Sequence, residues 1–284
     1  MDIKNNVIID TQDINTITES LGYLLEINPA EVEYYILSNF RKMLYEAKVE
    51  DFLDFVKKMK GVSQLEIPTN FQVTCYHLTK RINKIFEKEP LLNLQNLLTT
   101  KNEISDFFKQ YDLTFEVDHD HKIICMNNNK VINWEDYRTS YNNGVIAMLN
   151  SRFKGYKSPD SCVNGILFND DIINVRNIEH LRHAPEIIQD IFRVLPNLPN
   201  DIEINFKYLY VVKYKIQFNE MIFDGVDSMN KKDKLFCLIE KLLVYCSNKI
   251  IKNNMSFEIP IVRKNDYSIV DTDDIIGYEL INEG

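Results

Sequence analysis

The stretch Gln72-Val73-Thr74-Cys75-Tyr76-His77-Leu78-Thr79-Lys80 carries the side chains best suited to chemistry. β-Branched and aromatic residues precede a polar end, so the stretch reads as a short strand. Pro68, just upstream, blocks a helix from running in. The strand delivers an imidazole and a hydroxyl, His77 and Thr79, to its C-terminal tip. Such a pair suits recognition of a ribose and an amide. A strand histidine also serves plain structural roles, so the rest of the chain must supply the partners.

Three other groups invite a chemical reading. Asp118-His119-Asp120-His121 gathers metal-ligand types, but neighbours on one turn cannot all point at one ion, so a solvated hairpin tip is expected. His180 and His183 are three residues apart and could share a helix face, with no HExxH and no carboxylate at the required offset. Surface or capping histidines, and no bound transition metal, are the expectation. Glu258 opens an otherwise apolar stretch, where an ionised carboxylate needs a reason. The plain alternative is a strand-edge glutamate pointing to water.

The chain has 284 residues, 45% of them hydrophobic, enough for one large domain or two small ones. The net charge of −9 argues against broad binding to nucleic acid, while leaving a local basic groove open. The five cysteines, Cys75, Cys125, Cys162, Cys237 and Cys246, have no C-x-x-C spacing and read as reduced, mostly buried thiols. No signal-peptide pattern and no membrane-length apolar run is present, so a cytoplasmic protein without membrane contact is expected.

Several elements must hold these groups. Residues 1–66 read as an N-terminal helical subdomain. Ile14, Ile17, Leu21, Leu24 and Leu25 recur at helical spacing. Asn28-Pro29-Ala30-Glu31 is a helix start, and Gly61 ends a helix that turns Phe52, Leu53, Phe55, Val56 and Met59 inward. Helical spacing is expected again over Arg81–Phe86, in two short helices between Pro90 and Tyr111, and from Trp134 through Tyr141 to Phe153. Residues 111–133 alternate as a hairpin. Cys162–Phe168 reads as a buried strand, and Ile172–Leu195 as mostly helical. Tyr208–Phe218 is the longest strand signal, and Lys232–Lys252 an amphipathic helix. Strands near 257–262 and 275–280 close the chain. The strands at 71–77, 162–168, 208–218 and 257–262 are expected in one sheet system.

The order of these pieces resembles the ADP-ribosyltransferase-like fold. Tyr76-His77-Leu78-Thr79 is similar to the motif that opens the NAD site. The Gly165-Ile166-Leu167-Phe168 strand is similar to the family's middle strand. The strand with Glu258, followed by Ile275-Ile276-Gly277-Tyr278, is similar to its third motif. The match is to the histidine–aromatic–glutamate branch, which includes poly(ADP-ribose) polymerases, RNA 2′-phosphotransferases and DNA-modifying toxins. It covers about residues 70–284 and implies an α+β domain over 67–284 with a split, mainly antiparallel sheet. It implies NAD as substrate, in a glycosyl transfer that passes the ADP-ribosyl group to an acceptor the chain does not name. By resemblance, Glu258 stabilises the oxocarbenium-like ribose and holds its 2′-hydroxyl. His77 bonds a ribose hydroxyl, and Thr79 places the adenosine-side ribose or the amide. Phe168 or Tyr141 stacks on nicotinamide. The richness in Asn, Ile and Lys reads as an AT-rich genome, and a bacterial or phage origin of that kind would suit a toxin or defence protein. Two other classes remain open: a degenerate, non-catalytic binding protein of the same fold, and a metal hydrolase using His119, His121, His180 and His183.

Overall fold

A computed structural model describes residues 7–44, 46–154, 161–169, 184–199, 202, 205–224, 226, 228–251 and 259–281. In chain order the elements are β1 (Ile8–Ile9), α1 (Ile14–Leu25), α2 (Pro29–Asn39), α3 (Val49–Lys60), β2 (Gln72–Arg81), α4 (Leu94–Thr99) and α5 (Glu103–Lys109). Next come β3 (Leu113–Val117), β4 (Ile123–Asn127), β5 (Lys130–Val131), α6 (Asn143–Phe153), β6 (Asn164–Ile166) and α7 (Glu186–Val194). The last are β7 (Tyr208–Gln217), β8 (Ile222–Phe223), α8 (Lys231–Ile251), β9 (Ile261–Arg263) and β10 (Ile275–Ile281). The chain is of the α+β class, with a mainly antiparallel main sheet.

Among the described residues, that sheet has seven strands, in the order β10-β7-β2-β6-β9-β8, with β1 pairing β2 off this path. The four strands expected in one sheet, now β2, β6, β7 and β9, all belong to it. β1 runs parallel to β2, with Ile8 opposite Gln72, and β6 meets β2 antiparallel, with Tyr76 opposite Ile166. β10 lies antiparallel to β7 and bulges between Ile275 and Gly277. A second sheet, β3-β4-β5, is the expected hairpin with one more short strand.

The chain forms two compact units. The first comprises Met1–Tyr76, Gly165–Val175 and Lys215–Val262, the second His77–Asn164, Arg176–Tyr214 and Arg263–Gly284. β2 and β7 each run through both. In the first unit, α1, α2 and α3 pack on α8, burying Ile17, Leu21, Val32, Ile36, Phe52, Val56, Leu238 and Leu242. The caps follow the sequence signals. Asn28 accepts from the Ala30 N–H at 3.0 Å while Glu31 accepts from the Asn28 N–H at 3.2 Å. Gly61 ends α3 in the left-handed region at φ 66°, where a side chain would be strained. In the second unit the core gathers α4, α5, the β3–β4 hairpin, α6 and α7 around Phe107, Phe108, Phe192 and Phe206. Phe107 packs its ring against Phe192 and Phe206 at 5.7 and 5.4 Å. Arg152 of α6 pairs with Glu186 and Asp190 of α7.

Five expectations need correction. The helical spacing over Arg81–Phe86 is not a helix: β2 continues to Arg81, and the chain then loops to α4. The amides of that loop find tertiary acceptors instead of helical carbonyls. Asn83 donates to Glu103 at 3.1 Å, Ile85 to the Tyr210 hydroxyl at 3.1 Å and Glu89 to the Tyr278 hydroxyl at 2.9 Å. Leu91–Asn93 is likewise outside a helix. Leu91 bridges Val270, and the Asn93 side chain caps α4. The single helix over Trp134–Phe153 is instead a 3-10 turn at Trp134–Tyr137 and then α6. Asn142 divides them, its amide donating to the Tyr137 carbonyl and its oxygen accepting from the Thr139 N–H. The strand at Cys162–Phe168 is only Asn164–Ile166, and the next residue, Leu167, gives its N–H to the Pro260 carbonyl just before β9. Met59, expected inward, is 46% exposed at the last turn of α3.

Candidate functional site

The second half of β2 carries the candidate site. Successive side chains of a strand point to opposite faces, so His77, Thr79 and Arg81 share one face. All three are half-buried, whereas Leu78 on the other face is buried. Nδ1 of His77 lies 2.8 Å from the backbone carbonyl of Asn164, at the start of β6. A carbonyl can only accept, so Nδ1 carries the hydrogen. Burial pushes the imidazole pKa below its ordinary value, and the nearby charge of Arg81 pushes it the same way, against the raising effect of the Asn164 bond. The ring is therefore neutral at neutral pH, and Nε2 carries a lone pair. Among the described residues, nothing hydrogen-bonds to Nε2 or to the Thr79 hydroxyl. What results is a fixed acceptor for a hydroxyl proton, two residues from a hydroxyl of the chain's own.

Arg81 ends the strand in an ion-pair network. Its guanidinium pairs with Glu103 through Nε and with Glu89 through Nη2 at 2.7 Å. Glu103 is the first residue of α5, where a carboxylate is favoured beside the helix N-terminus. It also accepts from the Asn83 amide side chain at 3.2 Å. The Tyr278 hydroxyl donates to the Glu89 carbonyl at 2.7 Å, and Tyr210 and Tyr278 meet edge to face at 6.4 Å. Thus β2, β7, β10 and α5 all hold the loop that follows His77 and Thr79. Sequence reading missed Arg81, Glu89 and Glu103, which stand far apart in the chain. The alternation of Tyr208–Phe218 and the Ile-Ile-Gly-Tyr segment did mark the strands bearing Tyr210 and Tyr278. No sequence signal pointed to Asn164, which acts through its backbone.

The other predicted site residues are placed elsewhere or not described. Glu258, His180 and His183 lie outside the described residues. Tyr141 is 99% exposed, in the turn before α6. Phe168 is fully buried in the first unit and stacks flat on Tyr245, centroids 4.1 Å apart at 8°. One face of that ring is thereby covered. The first unit also holds an open groove of about 490 Å³ between α1, α2 and α8, walled in part by Asp13, Glu33, Tyr245 and Lys249. It includes none of the predicted site residues.

At the hairpin tip, Asp118, His119 and Asp120 bring ligand atoms within 4.8 Å of one another. Asp118 Oδ1 already accepts from the Asp120 and Lys122 N–H groups, both at 2.8 Å. Lys122 Nζ sits 3.3 Å from Asp120, occupying a carboxylate with a cation. His119 and Asp120 are exposed at this tip. Among the described residues, no helix is long and apolar enough to cross a membrane. Comparison with protein-family models, with curated proteins and with solved structures finds no match.

Proposed function

We propose that this chain is an NAD-dependent ADP-ribosyltransferase whose acceptor is not yet defined, with His77 as the ribose anchor. The observation that carries the reading is the state of His77: a neutral ring, fixed through Nδ1–H, with an Nε2 lone pair on the strand face that also bears Thr79. That is the hydrogen-bonding complement of a sugar hydroxyl, and the resemblance of Tyr76-His77-Leu78-Thr79 asks for it. In this reading Glu258 stands beside the breaking glycosidic bond. As nicotinamide leaves, positive charge develops on the ribose, and a pre-placed carboxylate stabilises it by several kcal/mol. Thr79 positions the adenosine-side ribose or the amide, and the chemistry needs no metal. A toxin or defence role fits this activity and the composition of the chain.

The test is nicotinamide release from NAD, measured over a panel of protein, nucleic-acid and small-molecule acceptors. Glu258→Gln, a near-isosteric change, is expected to lower the rate by orders of magnitude with folding intact. His77→Ala is expected to weaken NAD binding more than it slows turnover. Equal rates in Glu258→Gln and wild type would reject Glu258 as catalytic. A second reading, a non-catalytic protein of related fold, is favoured by one observation. Phe168 is stacked on Tyr245 and Tyr141 stands in solvent, so neither candidate aromatic offers an enclosed face for nicotinamide. Absence of NAD binding at millimolar ligand by calorimetry would decide for that reading.

A further inference from the structure

His77 owes its tautomer to one carbonyl, that of Asn164, and the segment bearing that carbonyl is held in an unusual way. Residues 161–164 do not lie in a long strand, since β6 begins only at Asn164. They are pinned from the chain just after β9. The Tyr267 N–H donates to the Ser161 carbonyl at 2.6 Å, and the Ser161 hydroxyl donates to Asp266 Oδ1 at 3.3 Å. Asp266 pairs with Arg263, whose Nη1 also reaches the Cys162 sulfur at 3.9 Å. The Cys162 sulfur in turn lies 3.7 Å from Asn164 Oδ1. Ser161 and Cys162 are buried. A continuous run of polar contacts therefore leads from Asp266 and Arg263 to the residue that holds the imidazole.

We propose that the Arg263–Asp266 pair is the positioning device for His77, clamping residues 161–164 so that the Asn164 carbonyl meets Nδ1 and leaves Nε2 as the acceptor. Neither residue need touch a ligand. A guanidinium suits the task because one nitrogen, Nη1, carries two N–H groups and so meets a carboxylate and a sulfur at once. The consequence for NAD rests on the function proposed above, whereas the positioning itself is a property of the free protein.

The experiment is a long-range proton–nitrogen correlation spectrum of full-length protein labelled at histidine, at a pH where the ring is neutral. His77→Gln assigns the signal. Wild type is expected to show the Nδ1–H tautomer as the dominant form, and Asp266→Ala is expected to lose that dominance. Asp274→Ala serves as control, because it removes the neighbouring Lys264–Asp274 pair, 3.8 Å long, without touching the clamp. It should leave the tautomer as in wild type. If Asp266→Ala loses its cooperative unfolding transition, Ser161→Ala takes its place and must move the tautomer in the same direction. An unchanged tautomer in the folded variant, or an equal change in Asp274→Ala, overturns the proposal. A shifted tautomer in a protein that never turns over NAD would leave the clamp standing and reject the proposed reaction instead.

Discussion

At the scale of single residues, burial and one carbonyl decide what His77 can do. Its pKa is lowered chiefly by desolvation, with the charge of Arg81 acting in the same direction. The folded protein therefore holds the ring neutral over a range where the unfolded chain binds a proton. Stability falls with falling pH wherever the unfolded state binds more protons. The loss begins as pH drops through the unfolded value, about 6.5 for histidine, and is complete below the depressed folded value. Above that range the histidine contributes no pH dependence. Melting temperatures of wild type and His77→Gln, compared from pH 7.5 down to 5, should converge as the pH falls. A constant gap between the two would contradict the neutral assignment.

Within elements, the tightest fit is at the joint of α1 and α2. Gly22 sits in α1, where alanine would gain about 1 kcal/mol of helix propensity. A Cβ there would lie 3.0 Å from the Pro29 ring and from Pro29 N, and 3.1 Å from the Ile27 carbonyl oxygen. Two of those three atoms are backbone, and Pro29 is locked as the first residue of α2 by the Asn28–Glu31 capping box. Room can be made only by moving α2 off α1, and overpacking of this kind costs about 1–3 kcal/mol. Gly22→Ala is therefore expected to be destabilising by about 1 kcal/mol net, read as a lower denaturation midpoint with unchanged slope. A raised midpoint would mean that helix propensity wins and the joint gives way.

For the whole molecule, the N-terminal 66 residues matter through what they cover. β1 adds a strand beside β2, and the Thr11 hydroxyl donates to the Thr74 carbonyl at 2.9 Å in a buried contact. Helices α1, α2 and α3 pack on α8. Without them, Leu238, Leu242 and Tyr245, all buried in the full chain, would meet water at about 1.5–3 kcal/mol for each large side chain. A chain beginning at residue 67 should be insoluble or melt well below the full-length protein. Unchanged melting by calorimetry would show that the first 66 residues are dispensable to the fold.

Much of this architecture was legible in the chain itself. Local chemistry determined the capped start of α2, the glycine stop of α3, the β3–β4 hairpin and the long alternating β7, because each depends on residues within a few positions of one another. The α+β class follows from the same periodicities. Where reading failed, distant groups had taken over local hydrogen bonds. The Arg81–Phe86 stretch has helical spacing, yet amides of the chain from Asn83 to Glu89 are claimed by Glu103, Tyr210 and Tyr278, and no periodicity records a partner 125 residues away. The site divides in the same way. His77 and Thr79 stand out by residue type, and their shared face follows from the strand period. The neutral tautomer of His77 was decided only by the tertiary structure, because it depends on a backbone carbonyl 87 residues downstream and on the desolvation that folding imposes.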